Sequence, residues 1–238
     1  MAIAGMLATL VALAVAGAVM VSHRTAPSAG SRAARPPDQA GDTGGLERLG
    51  RYGEVPSFSL TERTGRRVTR DDLRGTVWVV DFIYTECTDT CPTQSLELAR
   101  LQREFAEAPD FRLVSISVDP AHDTPAVLRE YARRYGAGDR WWFLTGDRRS
   151  IYCLARDGFR LGVTDPRDTE AFDCGGRAAW LGPARAWAHH GPSGLIMHSA
   201  RVVLVDRALR IRAYHLAIDE ASMARLRANV RTLLAEAR

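Results

Sequence analysis

The sequence predicts a mixed α/β domain, a central sheet flanked by helices, preceded by an N-terminal helix long enough to cross a membrane. Three observations lead there. From about residue 46, β-rich apolar runs alternate with amphipathic helical stretches, and the chain closes on a hairpin and a last helix. That order describes a mixed sheet covered on both faces. The 238 residues are 46% hydrophobic and 25% charged, an ordinary globular composition and enough chain for one membrane segment and one domain with a sizeable core. Residues 2–22, AIAGMLATLVALAVAGAVMVS, are apolar or small throughout, and at about 1.5 Å per residue such a helix spans a bilayer core.

Residues 1–22 read as an uncleaved anchor, with a cleaved signal segment as the rival; no good small-x-small site and no lipid-accepting cysteine follows. No charge precedes the run, and His23 and Arg24 follow it, so the positive-inside rule alone would leave the rest of the chain in the cytoplasm. Residues 23–45, rich in Ala, Pro, Gly, Ser and Arg, form a flexible linker, and residues 46–238 form the domain. Residues 55–60 alternate like a strand, Thr64-Gly65 signals a turn, and residues 67–69 return as its partner. Residues 77–84 have the composition of a fully buried strand. Residues 92–105 form a helix with Leu96, Leu98, Leu101 and Phe105 for its apolar face. Residues 111–118 are a second β-run. Thr124 caps a helix that Pro125 opens and that runs to about residue 135. A short strand at 141–144 and a short helix at 150–157 follow. Residues 162–194 fit no regular pattern and read as a loop insertion. Strands at 201–205 and 209–214 flank a turn at Asp206-Arg207, and residues 219–237 form the last helix.

Net charge is +4, and all 32 basic residues are arginine. They are spread among 28 carboxylates in nothing longer than pairs such as Arg66-Arg67, Arg133-Arg134 and Arg148-Arg149. Nucleic acid is not an expected partner, since its binding needs a clustered basic face. The four cysteines, Cys87, Cys91, Cys153 and Cys174, are too few for a disulfide scaffold.

The chemistry concentrates in Asp81-Phe82-Ile83-Tyr84-Thr85-Glu86-Cys87-Thr88-Asp89-Thr90-Cys91-Pro92. Two thiols stand where a strand hands over through a loop to a helix N-terminus. The helix dipole and free N–H groups there favour thiolate, so both pKa values are expected to fall. Two such thiolates can close a disulfide or hold a soft metal. The C-x3-C spacing opens the bite relative to C-x2-C, which suits a metal and still permits a disulfide.

Three separated motifs resemble the Sco/SenC family. They are Thr85-Glu86-Cys87-Thr88-Asp89-Thr90-Cys91-Pro92, then Ser117-Val118-Asp119-Pro120-Ala121-His122-Asp123-Thr124-Pro125, and His198-Ser199 before a strand ending Leu204-Val205-Asp206. Thr88 stands where the family usually has Pro, which would loosen the cysteine loop, and the turn after Asp206 lacks the usual Gly. The resemblance covers residues 55–237 and implies a thioredoxin-like fold. It implies a membrane-anchored copper protein of cytochrome c oxidase assembly, with Cys87, Cys91 and His198 as ligands to a copper ion, Cu(I) and Cu(II). Soft Cu(I) prefers thiolate and Cu(II) accepts imidazole, so this set serves both states. The implied partner is the copper-site subunit of cytochrome c oxidase, which would receive copper or have its cysteines reduced. The implied place is the bacterial inner membrane, with a monomeric domain on the periplasmic side. The alternative is a metal-free thiol-disulfide reductase cycling Cys87 and Cys91; a third reading is a copper sensor. Oxidoreductases of this fold carry a cis-Pro before the strand facing the thiols, whereas here His198 takes that place and Pro192 lies too far away.

Asp119 is expected to cap the turn after its strand and Asp123 to accept N–H bonds near the helix start, a direct copper role being the alternative. His122 is expected to be exposed. Cys153 points away from Ile151, Leu154 and Ala155 at 100° per residue, and an outward thiol in an oxidising compartment finds a partner. Cys174 is the candidate. The rival readings are two independent thiols, or a second metal site of Cys174 with His189 and His190.

Overall fold

The structure, a computed structural model, describes residues 43–165, Cys174 and residues 196–236. The anchor at 1–22, the linker up to residue 42, most of the 162–194 insertion and with it His189, His190 and Pro192 lie outside the described residues. Among the described residues no helix is long and apolar enough to cross a membrane.

The expected mixed sheet is present. Ten strands run β1 Gly53–Glu54, β2 Ser59–Glu62, β3 Arg67–Thr69, β4 Val77–Ile83, β5 Phe111–Ser117, β6 Trp141–Thr145, β7 Val163–Thr164, β8 Met197–His198, β9 Arg201–Val205 and β10 Arg210–Leu216. Eight make one sheet in the order β1-β10-β9-β4-β5-β6-β2-β3, and β7 and β8 pair separately. The centre β4-β5-β6 is parallel, and β9 runs antiparallel to β4. Every residue of β4 is buried, as its largely apolar composition demands, including its single charged residue, Asp81.

Period-two alternation splits the core between two faces. Trp78, Val80 and Phe82 point to one face, where they pack with Val55, Leu73, Ile151, Leu154 and Phe159. Val77, Val79 and Ile83 point to the other, under α2 Thr90–Glu104, α3 Pro125–Arg134 and α5 Glu220–Ala235. Thr124 caps α3 by accepting the Val127 N–H, with Pro125 at the first position, and Asp219 caps α5 by accepting the Ser222 N–H at 2.6 Å.

Several boundaries differ from expectation for physical reasons. The strand expected at 55–60 forms only from Ser59, and it pairs with β3 as Ser59↔Thr69 and Leu60↔Val68. Val55 instead hands its N–H to the Leu209 carbonyl and buries its side chain. Helix α2 begins at Thr90, which puts Cys91 inside its first turn, and Leu96 is 54% exposed while Gln94 and Ser95 are buried. The helix expected at 150–157 is α4 Arg148–Cys153, capped by Asp147, continued by a π-turn Leu154–Gly158. The turn after Asp206 needs no glycine: Leu209 adopts φ 65° with its side chain 2% exposed, while the Asp206 carboxylate takes the N–H groups of Ala208 and Arg210. A short helix α1, Thr43–Glu47, precedes the expected start of the domain.

The topology decides where chemistry can happen. β4 and β5 end side by side at Ile83↔Ser117, and β9 enters at that same end, with Val80 opposite Val203. Residues just after β4, just after β5 and just before β9 therefore share one edge of the sheet.

Candidate metal centre

Cys87, Cys91 and His198 meet at that edge. The chain turns after β4 through a bond from the Cys87 N–H to the Tyr84 carbonyl at 3.2 Å, and Cys91 follows in the first turn of α2. His198 comes from β8, which β7 holds through the pair Val163↔His198, while the Ser199 N–H bonds the Gly162 carbonyl at 3.1 Å. The ligand atoms of the three residues all lie within 4.8 Å of one another, and Cys91 Sγ lies 2.9 Å from His198 Nε2. Among the described residues this is the one group of three His, Cys or carboxylate side chains so arranged. All three are buried: Cys87 is 9% exposed, Cys91 0% and His198 8%. His198 Nδ1 faces the Ser199 carbonyl at 3.3 Å. That contact occupies Nδ1 and leaves Nε2 as the ring nitrogen that faces the sulfurs. The Tyr84 ring packs edge-on against the imidazole at 5.7 Å.

The two thiols are not equivalent, which corrects the expectation that both pKa values fall. Cys87 is drawn down to about 3, chiefly by a hydrogen bond from Cys91, with help against burial from His198 and from the N–H groups of Cys91 and Asp89. Cys91 is pushed far up, because its proton is the one shared with Cys87 and because it is buried. The helix N-terminus thus serves the residue outside the helix. The adjacent Tyr84 hydroxyl is pushed up by burial first and by the neighbouring Cys87 next.

Two carboxylates beneath the site have roles that the sequence reading missed or misplaced. Asp81, the one charged residue of β4, is fully buried on the α2 face, where Gln94 donates to it at 2.7 Å and Ser115 at 2.6 Å. Burial raises its pKa to about 6. A carboxylate inside an apolar strand was the available signal. Asp123 does not serve the start of α3, where Thr124 is the cap. It accepts from the Thr85 N–H at 3.0 Å, the Thr85 hydroxyl at 2.5 Å and the Ser117 hydroxyl at 2.6 Å, and His122 Nδ1 lies 2.9 Å away. His122 is exposed, as expected. The Asp119 carbonyl takes the N–H groups of His122 and Asp123, so the turn after β5 is closed by backbone, while the Asp119 N–H bonds Ser117 Oγ.

Cys153 and Cys174 form a disulfide with Cα atoms 5.5 Å apart. This bears out the expected pairing and removes Cys174 as a thiolate for a second metal site. Cys87 and Cys91 are free thiols.

Two sulfurs and one imidazole nitrogen in a buried cluster make a soft-metal donor set. The same pair of thiols, with Cys87 drawn toward thiolate, can also give up two electrons and close a disulfide.

The chain is similar to known proteins along most of the described domain. The SCO1/SenC family model matches residues 48–235. The SCO1 protein homolog of Bacillus subtilis is 39% identical over 116 residues, 48% of this chain and 60% of that protein. The human mitochondrial SCO1 homolog is 31% identical over 102 residues, 42% of this chain and 33% of that protein. The matched stretches span about half the length of the curated relatives. Among solved structures, BsSco, a member of the Sco family of cytochrome c oxidase assembly proteins, superposes with TM-score 0.61 at 25% identity over 79% of this chain and 97% of its own. Bradyrhizobium japonicum ScoI with copper bound superposes with TM-score 0.58 at 22% identity over 76% and 99%. With the family model matched along nearly all of the described domain, the chain belongs to the SCO1/SenC family.

Proposed function

We propose that this protein binds copper through Cys87, Cys91 and His198 and passes it to, or prepares the thiols of, the copper-site subunit of cytochrome c oxidase. The carrying observation is the buried cluster of two sulfurs and one imidazole nitrogen within 4.8 Å. The two thiolates suffice for Cu(I), and the imidazole adds the nitrogen that Cu(II) favours. Structural neighbours with copper bound, from Bradyrhizobium japonicum and yeast, support the cargo. By this reading residues 1–22 anchor the chain in the bacterial inner membrane and the monomeric domain lies on its outer side. A Cys153–Cys174 disulfide suits such an oxidising compartment.

A second reading is favoured by the split thiols. Cys87 as thiolate attacks a partner disulfide, Cys91 then displaces the mixed disulfide, and two electrons pass to the partner as Cys87–Cys91 closes. One experiment separates the two. Titrating the reduced full chain in detergent with copper should give a stoichiometry near one and a thiolate-to-Cu(II) charge-transfer band. No copper uptake, with rapid exchange of Cys87–Cys91 against a dithiol peptide, would establish the reductase instead.

A further inference from the structure

We propose that Asp123 is the positioning residue of the metal centre: its buried carboxylate, with His122, holds both corner residues of the turn that delivers Cys87. The bond from the Cys87 N–H to the Tyr84 carbonyl closes a four-residue turn in which Thr85 and Glu86 are the corners. Asp123, 0% exposed, takes both the N–H and the hydroxyl of Thr85. His122 Nε2 lies 3.3 Å from the Glu86 carboxylate, while its Nδ1 faces Asp123. The carboxylate is itself fixed to the sheet by the Ser117 hydroxyl at the end of β5.

The other two ligands are held by different means. Cys91 rides on helix α2, and His198 on the β7–β8 pair. Cys87 alone depends on a loop, and that loop carries Thr88 where a proline would have stiffened it. Charge-assisted bonds to one buried carboxylate supply the rigidity instead. Removing Asp123 therefore loosens one sulfur of three ligands. Cu(I) needs the two sulfurs and tolerates a looser geometry, whereas the three-ligand Cu(II) set does not.

The inference rests on the copper reading for its metal readouts, and one readout is independent of metal. In the full chain in detergent, Asp123→Ala should raise the rate at which iodoacetamide alkylates metal-free Cys87 by about tenfold or more, the factor that a lost charge-assisted hydrogen bond supports. Cys91 alkylation should not change. The same variant should lose about tenfold in Cu(II) affinity with a weakened charge-transfer band, and keep its Cu(I) affinity. Asp123→Asn, whose carbonyl can still take the Thr85 N–H, should recover part of both. Thr85→Val, which removes one hydroxyl only, should shift both readouts in the same direction by less, and it decides the matter if Asp123→Ala does not fold. Unchanged Cys87 alkylation and an unchanged Cu(II) band in folded Asp123→Ala, or in Thr85→Val if that is the folded variant, would overturn the proposal. Wild-type protein that takes up no copper overturns the copper reading, and the alkylation rates still decide this one.

Discussion

Cys91 Sγ and His198 Nε2 lie 2.9 Å apart across 107 positions of chain, one on a helix N-terminus and the other on a two-residue strand. That contact separates a metal centre from a plain dithiol, because it adds a nitrogen donor to a pair of sulfurs.

Removing the imidazole leaves both sulfurs. His198→Ala should therefore retain Cu(I), lose stable Cu(II) and lose the thiolate charge-transfer band. Cys87→Ser or Cys91→Ser should lose tight binding of both states. Optical titration with Cu(II) and competition with a Cu(I) chelator measure the two effects. A His198→Ala protein with an unchanged Cu(II) spectrum would place the third ligand elsewhere.

The Cys153–Cys174 bond is independent of the metal centre in this structure, where Cys87 and Cys91 are free. A non-reduced digest of a Cys87→Ser, Cys91→Ser variant should contain the linked 153/174 peptide by mass spectrometry. Alkylation of both thiols in the oxidised protein would rule the bond out.

Two buried groups oppose each other in their pH dependence. His215 is 0% exposed, and burial lowers its pKa from 6.5 to about 4. The unfolded chain protonates it first, so its contribution to stability is complete above pH 6.5 and is lost as pH falls toward 4. Asp81 is raised by burial from 3.8 to about 6, so the folded state holds the proton longer and stability falls as pH rises across that window. Each is worth at most about 3 kcal/mol, and the two slopes largely cancel. Asp81→Asn should leave a protein whose urea midpoint drops more steeply with acid than the parent's, and His215→Gln should do the reverse. Parallel pH profiles for the two variants would contradict this.

Helix α1 is tied to α5: Glu47 is 3% exposed and is bonded by Ser222 and Arg225, while its carbonyl takes Asn229. A chain starting at residue 42 should fold and bind one copper. A chain starting at residue 49 should lose about 1–3 kcal/mol, the cost of leaving buried polar partners unpaired, and melt measurably lower. Equal melting temperatures would show that α1 contributes nothing.

The amino-acid order alone marked the main strands and helices and the candidate site residues. Buried-strand composition marked β4 and β5, Thr124-Pro125 marked the start of α3, and the family resemblance carried by the motifs around Cys87, Cys91 and His198 marked the three candidate ligands that the structure brings together. These features are local, and local backbone preference and side-chain chemistry carry them. Tertiary structure decided what depends on neighbours distant in sequence. It put Leu96 in solvent and Gln94 inside, because a buried Asp81 across the interface needed a donor. It turned Asp123 from a helix-start acceptor into the anchor of Thr85, because β4 and β5 end side by side. It also drew the two thiols apart, Cys87 downward and Cys91 upward, since their mutual hydrogen bond requires the sulfurs and the imidazole to lie within a few ångströms, a distance that only the assembled sheet sets.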